Sequence, residues 1–123
     1  MTKIAIIEDD PVISQMYLMK FEAAGFDVQM AKNGKLGVEL VESFLPDLIL
    51  LDLQMPEMDG TTALGIIRKT ESGKNIPVIV LTNMGEEESP KTLKTLGVLG
   101  YIVKANLTPS QVLQRVKDAL KIA

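Results

Sequence analysis

Four short runs of apolar residues stand out along the chain, at positions 4–7, 48–51, 78–81 and 101–103. They do not alternate with polar residues, and uninterrupted runs of this length are typical of strands that are covered on both faces. Such strands belong to a parallel sheet between two layers of helices. A weaker run at positions 27–31 predicts a fifth strand.

The segments between these runs carry apolar residues at the spacing of helices that pack one face against a core. Further helices are predicted after Gly34 and Gly60. The first helix is predicted from a stripe of Val12, Ile13, Met16, Met19, Ala23 and Ala24, and the last from Val112, Leu113, Val116, Ala119 and Leu120.

Two helix starts are marked by their chemistry. Asp10-Pro11 and Thr108-Pro109 each place an N-cap oxygen before a proline at the first helical position, and Thr108 with Gln111 matches a capping box. Strand and helix thus alternate five times, which predicts an α/β fold, a doubly wound domain of five strands and five helices.

Composition narrows the possible functions. The 123 residues, 46% of them apolar, predict one domain over residues 1–123 with no effector domain. The chain has no Cys and no His, which excludes disulfides, Cys or His zinc sites, Ser-His-Asp catalysis and a phosphohistidine within it. A net charge of -3 and 4% aromatic residues argue against direct binding of nucleic acid. The first apolar run is too short for a signal peptide or a membrane span, so we expect a cytoplasmic location without membrane insertion.

Polar residues follow the predicted strands at the edge where ligands bind in doubly wound sheets: Glu8, Asp9, Asp52, Thr82 and Lys104. Three crowded carboxylates repel one another unless a cation neutralises them, and oxygen ligands favour magnesium, Mg²⁺. A carboxylate can also attack phosphorus, while an amine and a hydroxyl hold the phosphoryl oxygens. These residues indicate phosphoryl chemistry on an aspartate.

Four segments resemble the signatures of response-regulator receiver domains of two-component signalling, the CheY-like superfamily. They are Glu-Asp-Asp-Pro at 8–11, Leu-Leu-Asp-Leu-Gln-Met-Pro-Glu-Met-Asp-Gly at 50–60, Leu-Thr at 81–82 and Tyr-Ile-Val-Lys at 101–104. The resemblance implies a flavodoxin-like sheet with strand order 2-1-3-4-5. It also implies a domain that accepts a phosphoryl group from a sensor histidine kinase or a phosphotransfer protein and switches a surface read by a downstream protein of unknown identity.

The resemblance assigns roles to single residues. It implies that Asp52 is the phosphoacceptor and a metal ligand, that Asp9 binds Mg²⁺ directly and Glu8 mainly through water, and that the backbone carbonyl of Gln54 is a further ligand.

On the phosphoryl side, the resemblance implies that Thr82 bonds a phosphoryl oxygen and that Lys104 pairs with the phosphoryl charge. Tyr101 resembles the switch aromatic of the family, which turns inward when Thr82 is drawn toward the phosphate.

The chain departs from the family pattern at several positions. Ala105 stands where proline usually follows the lysine, and because a non-proline cis bond costs about 2.5 to 4 kcal/mol, we expect a trans bond and a reshaped loop. Asn83 replaces a small residue and would narrow access to Asp52. Gln54 and Met84 occupy variable positions that the resemblance links to phosphoryl lifetime.

Pro90 is a further departure, because proline inside a helix costs about 3 kcal/mol or more. The fourth helix is therefore predicted to begin at Ser89-Pro90, leaving an acidic loop at 86–88. The resemblance places the output surface on the fourth helix, fifth strand and fifth helix, so a short fourth helix predicts an unusual surface.

Two other functions stay open. A degenerate receiver would act as an interaction module without phosphorylation, consistent with the departures at Asn83, Pro90 and Ala105. A phosphohydrolase of the haloacid dehalogenase type would need an acid two residues after Asp52, where this chain has Gln54. A nucleotide binder ranks last, because no glycine-rich phosphate-binding motif occurs. Under the main hypothesis the domain is its own substrate and not a turnover enzyme.

Overall fold

The structure, a computed structural model, describes residues 1–83 and 91–122 apart from the side chains of Thr92 and Lys94. Strands and helices alternate along the described chain as predicted. The strands are β1 (Lys3–Ile7), β2 (Asp27–Ala31), β3 (Leu48–Asp52), β4 (Val78–Thr82) and β5 (Gly100–Val103). The helices are α1 (Pro11–Ala23), α2 (Gly34–Phe44), α3 (Gly60–Arg68), the single turn α4 (Thr92–Thr95) and α5 (Pro109–Leu120).

The five strands form one parallel sheet in the order β2-β1-β3-β4-β5. This order confirms the strand order that the family resemblance implied. Every residue of β3 and β4 is buried, which explains their unbroken apolar sequences. The strand order reverses between β1 and β3, and sheets of this kind bind ligands beyond the strand ends at such a point.

Successive strand residues point to opposite faces of the sheet and so supply two separate hydrophobic layers. Ile4 and Ile6 of β1 belong to the layer that contains the buried residues of α1 and α5. Ala5 and Ile7 belong to the layer under α2, α3 and α4, to which α4 contributes the buried Leu93. The sheet is therefore covered on both faces.

The predicted helix caps are present. The Asp10 carboxylate accepts hydrogen bonds from the backbone N–H groups of Val12 at 2.9 Å and Ile13 at 3.2 Å. At α5, the Thr108 hydroxyl accepts from the Gln111 N–H, and the Gln111 side chain accepts from the Thr108 N–H, which completes the capping box. Both helices begin with proline at the predicted position.

The predicted apolar face of α5 packs against the core, whereas the predicted face of α1 is wrong except at Ile13, which is partly buried there. In α1 the side chains of Val12, Met16 and Met19 are exposed by 67%, 44% and 63%. The buried face carries Ser14, Tyr17 and Phe21 instead. The larger rings decide the orientation of α1, because Tyr17 and Phe21 lie one helical turn apart and Phe21 packs in turn against Phe26, with ring centroids 6.4 and 5.9 Å apart.

Several expectations concern the segment that leads to α5. The described peptide bonds include no cis bond, as predicted for Lys104 and Ala105, and Lys104–Asn106 form a 3₁₀ turn before α5. The predictions for Met84, the acidic loop at 86–88 and the helix start at Ser89-Pro90 lie outside the described residues.

Among the described residues, no helix is long and apolar enough to cross a membrane.

The burial of Phe21 and the exposure of Met19 in α1 predict unequal costs for two substitutions. Phe21→Ala should lower the free energy of unfolding by about 3 to 5 kcal/mol, because a fully buried ring is lost. Met19→Ala should change it by less than about 0.5 kcal/mol, because the side chain is exposed. Urea unfolding followed by far-UV circular dichroism measures both values, and a similar loss in the two variants would contradict this packing of α1.

Candidate functional site

The carboxyl ends of three neighbouring strands bring the predicted site residues together. Glu8 follows β1 directly, Asp52 ends β3 and Thr82 ends β4. In the strand register Asp52 pairs with Leu81, the residue before Thr82. Glu8, Asp52 and Thr82 therefore lie at one edge of the sheet although they are far apart in the sequence.

Three carboxylates form a cluster at this edge. Glu8, Asp9 and Asp52 each offer an oxygen atom, and these atoms lie within 4.8 Å of one another. Only 2% of Glu8 and 3% of Asp52 is exposed to solvent, whereas Asp9 is exposed. The cluster is thus reached from the Asp9 side.

The ammonium group of Lys104 lies within this carboxylate cluster. Its Nζ atom is 2.5 Å from Glu8 Oε1 and 3.3 Å from Asp52 Oδ1, and its side chain is 9% exposed. Apart from this ion pair, Glu8 Oε1 has no hydrogen-bond partner among the described residues. A buried carboxylate without a partner is costly, so Lys104 stabilises Glu8 as well as Asp52. The sequence predicted Lys104 as a partner for phosphoryl charge only, and its contact with Glu8 was missed.

One ammonium group does not neutralise three carboxylates, and the pKa of Asp52 is raised. Burial, followed by the hydrogen bond and the charge of Glu8, raises the pKa of Asp52 from its usual 3.8 to about 7, although the charge of Lys104 opposes the shift. Burial lowers the pKa of Lys104, but its contacts with Glu8 and Asp52 outweigh this and leave that pKa raised. Without a further cation, the pocket therefore favours protonation of Asp52.

The loop that follows β3 contacts Asp52, the predicted phosphoacceptor. The backbone N–H of Gln54 donates a hydrogen bond to Asp52 Oδ1 at 3.3 Å. The loop closes through the Gly60 N–H, which donates to the Leu53 carbonyl at 3.0 Å, and Asp59 caps α3 through the Thr62 N–H. The side chain of Gln54 is exposed, and its backbone contacts Asp52.

Thr82 and Tyr101 lie on the same face of the sheet. Tyr101 pairs with Val80 across β4 and β5, and Thr82 is two residues beyond Val80 on its strand. Thr82 is buried with 1% exposure, while Tyr101 is half-buried and packs against the hydrophobic layer under α3 and α4. Thr82 and Tyr101 are therefore diagonal neighbours on one face, since the register partner of Thr82 is Val103. Asn83, which follows Thr82, is exposed.

Comparison with known proteins agrees with this fold and identifies the family. Residues 4–117 match the response regulator receiver domain family. The chain is 37% identical over 121 residues to RpaA of Synechocystis sp., a DNA-binding transcriptional regulator, with 98% of this chain and 50% of that protein covered. It is 34% identical over 122 residues to the chemotaxis protein CheY of Treponema pallidum, with 97% of this chain and 83% of that protein covered.

A solved structure gives the same fold. The receiver domain of a Pseudomonas aeruginosa sensor histidine kinase superposes with a TM-score of 0.84 at 25% identity over 95% of each chain, and it holds a magnesium ion in its active-site cleft. The present chain belongs to the response regulator receiver domain family. It spans about half the length of the transcriptional regulators that it matches.

The raised pKa of Asp52 predicts that metal-free protein loses stability as the pH rises. The unfolded chain ionises Asp52 near pH 4 and the folded chain near pH 7, so the folded state holds this proton more tightly between these values. The contribution of Asp52 to stability is full below pH 4 and lost as the pH rises through 7. Each unit of pKa shift corresponds to about 1.4 kcal/mol, so we expect a loss of about 2.7 kcal/mol between pH 5 and pH 8, most of it below pH 7.

Asp52→Asn removes the titrating carboxyl group, so the variant is the reference for the free energy of unfolding of the wild type. In urea unfolding with EDTA, the wild type should lose about 2.7 kcal/mol relative to Asp52→Asn between pH 5 and pH 8. A constant difference between the two proteins over this range would show that Asp52 ionises normally.

Proposed function

We propose that this domain accepts a phosphoryl group on the Asp52 carboxylate, in a Mg²⁺-dependent step, from a sensor histidine kinase or a phosphotransfer protein. The observation that carries the proposal is the buried Asp52 carboxylate beside one ammonium and two further carboxylates at the ligand-binding edge of the sheet. An oxygen of Asp52 would bond to phosphorus while the P–N bond of a phosphohistidine breaks and the donor imidazole leaves with the bonding electron pair. Because the chain contains no His, that imidazole belongs to another molecule.

The carboxylate cluster fits a hard divalent cation. Its ligand atoms are all oxygens, they lie within 4.8 Å of one another, and Lys104 neutralises only part of their charge. We assign direct binding to Asp9 and Asp52, water-mediated binding to Glu8 and one further ligand to the backbone carbonyl of Gln54. When bound, Mg²⁺ would offset charge on the transferring group.

Lys104 has two tasks in this proposal. In the unphosphorylated domain its ammonium group holds Glu8 and Asp52 in place. After transfer, the same group is close enough to Asp52 to pair with a phosphoryl oxygen, which supports its assignment as the residue that neutralises the phosphoryl charge. The domain is then its own substrate, and we propose phosphotransfer to and loss from Asp52 as its only chemistry.

The response would pass from Thr82 to Tyr101. A hydroxyl at the end of β4 can bond a phosphoryl oxygen, and Tyr101 is its neighbour on the same face of the sheet. A shift of Thr82 toward Asp52 would open space for the half-buried Tyr101 ring and change the population of two surface states that a downstream protein reads. The cytoplasmic location and the absence of direct nucleic-acid or membrane partners stay predictions.

Beryllofluoride, a mimic of the phosphoryl group, tests the proposal without a donor protein. Wild-type protein with Mg²⁺ should form a saturable adduct that shifts the backbone amide resonances of Thr82 and Tyr101 in nitrogen-15 NMR spectra, and EDTA should abolish it. Asp52→Asn should form none.

Asp10→Asn is the matched control for this experiment, because Asp10 lies at the same edge, caps α1 and stands outside the carboxylate cluster. Asn caps helices as well as Asp, so this variant should behave as the wild type. Absence of an adduct in the wild type would contradict the proposal and favour the degenerate receiver.

A further inference from the structure

The N-terminus of α2 contacts the loop that carries Gln54. The backbone N–H of Gly34 donates a hydrogen bond to the Met58 carbonyl at 3.0 Å. The preceding residue, Asn33, is 5% exposed and donates through Nδ2 to Glu57 Oε2 at 3.5 Å. Asn33 also accepts from the Leu36 N–H at 2.8 Å, so the residue that caps α2 also touches the loop.

Gly34 allows the loop to approach α2 closely. A Cβ atom at this position would overlap the Met58 carbonyl oxygen and lie 3.0 Å from the Asp59 carbonyl oxygen. Both are backbone atoms, so a side chain at position 34 would push the loop itself and not a flexible group.

The loop has little freedom to absorb such a displacement. It is closed at its base by the Gly60 N–H and Leu53 carbonyl bond. Its tip holds Glu57 at a φ of 66°, a left-handed conformation that is uncommon for a residue other than glycine. Gln54 lies near the start of this loop, and its N–H donates a hydrogen bond to Asp52 Oδ1. A displacement of Met58 and Glu57 therefore reaches Gln54.

We infer that Asn33 and Gly34 are positioning residues for the metal site, because their contacts with Glu57 and Met58 fix the loop that presents the backbone of Gln54. The inference rests on the proposed function, in which the Gln54 carbonyl is a Mg²⁺ ligand. It adds Gly34 of α2 and its N-cap residue Asn33 to a site whose predicted metal ligands lie at or just after the ends of β1 and β3. Partners of metal ligands commonly change metal affinity by 10- to 100-fold when they are lost.

Gly34→Ala tests the inference against two matched glycine variants. Gly73 lies in the connection between α3 and β4, outside the site, and a Cβ atom there would also overlap a backbone oxygen, the Ile67 carbonyl of α3. At Gly65, in α3, a Cβ atom would meet no atom of the described residues within 4 Å. Gly73→Ala thus controls for general destabilisation and Gly65→Ala for the substitution itself.

Two quantities are measured for each protein. Isothermal titration calorimetry gives the Kd for Mg²⁺, and hydrogen exchange by NMR in EDTA gives the exchange rate of the Gln54 amide. Gly34→Ala should weaken Mg²⁺ binding roughly tenfold or more and speed exchange of the Gln54 amide, while Gly65→Ala and Gly73→Ala keep the Kd within about twofold of the wild type. Equal effects of Gly34→Ala and Gly73→Ala on both quantities would overturn the inference.

The exchange rate separates the two proposals. If the wild type binds no Mg²⁺, the proposed function fails, and the Gln54 exchange rate alone decides whether α2 positions the loop. If the wild type binds Mg²⁺ and Gly34→Ala changes neither quantity, the positioning role fails while the proposed function stands.

Asn33→Asp provides a second test should Gly34→Ala not fold. The new carboxylate still accepts from Leu36, so the cap of α2 is kept, but it repels Glu57 instead of donating to it. We expect Mg²⁺ binding weakened several-fold, although an added negative charge alone would strengthen it. The double variant Asn33→Asp with Glu57→Gln restores a donor and an acceptor and should recover the affinity. Unchanged or tighter binding by Asn33→Asp alone would overturn the inference.

Discussion

The main electrostatic constraint on this domain is the placement of three carboxylates and one ammonium group at the edge of a parallel sheet. Glu8 and Asp52 are buried with Lys104 between them, and Asp9 completes the group from the solvent side. Carboxylates this close repel one another, and burial increases the cost of each charge. The rest of the fold holds them there, because β1 and β3 are adjacent, parallel and covered on both faces.

This repulsion links the stability of the domain to its chemistry. A nucleophilic carboxylate must be ionised, yet burial and Glu8 raise the pKa of Asp52 to about 7. Lys104 opposes the shift without cancelling it. A divalent cation bound to the same oxygens would favour the ionised form, so metal binding and the readiness of Asp52 to accept a phosphoryl group are two aspects of one electrostatic balance.

Much of the fold and of the candidate site could be predicted from the sequence, because strand ends, helix caps and buried strands are local patterns. The residues that follow the strands identified the carboxylate cluster, and Asp10 and Thr108 identified two helix starts. The face of α1 was wrong because the spacing of Val12, Met16 and Met19 says nothing about Tyr17 and Phe21, whose rings pack better against the core. The contacts of Lys104 with Glu8 and of Gly34 with Met58 join residues distant in sequence, and no local pattern marks them.

We expect burial, together with the neighbouring carboxylates, to keep Asp52 from ionising at its usual pH until a cation binds. Carbon-13 NMR of the Asp52 carboxyl group, titrated with and without Mg²⁺, measures this directly. In EDTA the pKa should lie near 7, and saturating Mg²⁺ should lower it by at least about one unit. A pKa near 4 in EDTA, or a value that Mg²⁺ leaves unchanged, would contradict the account.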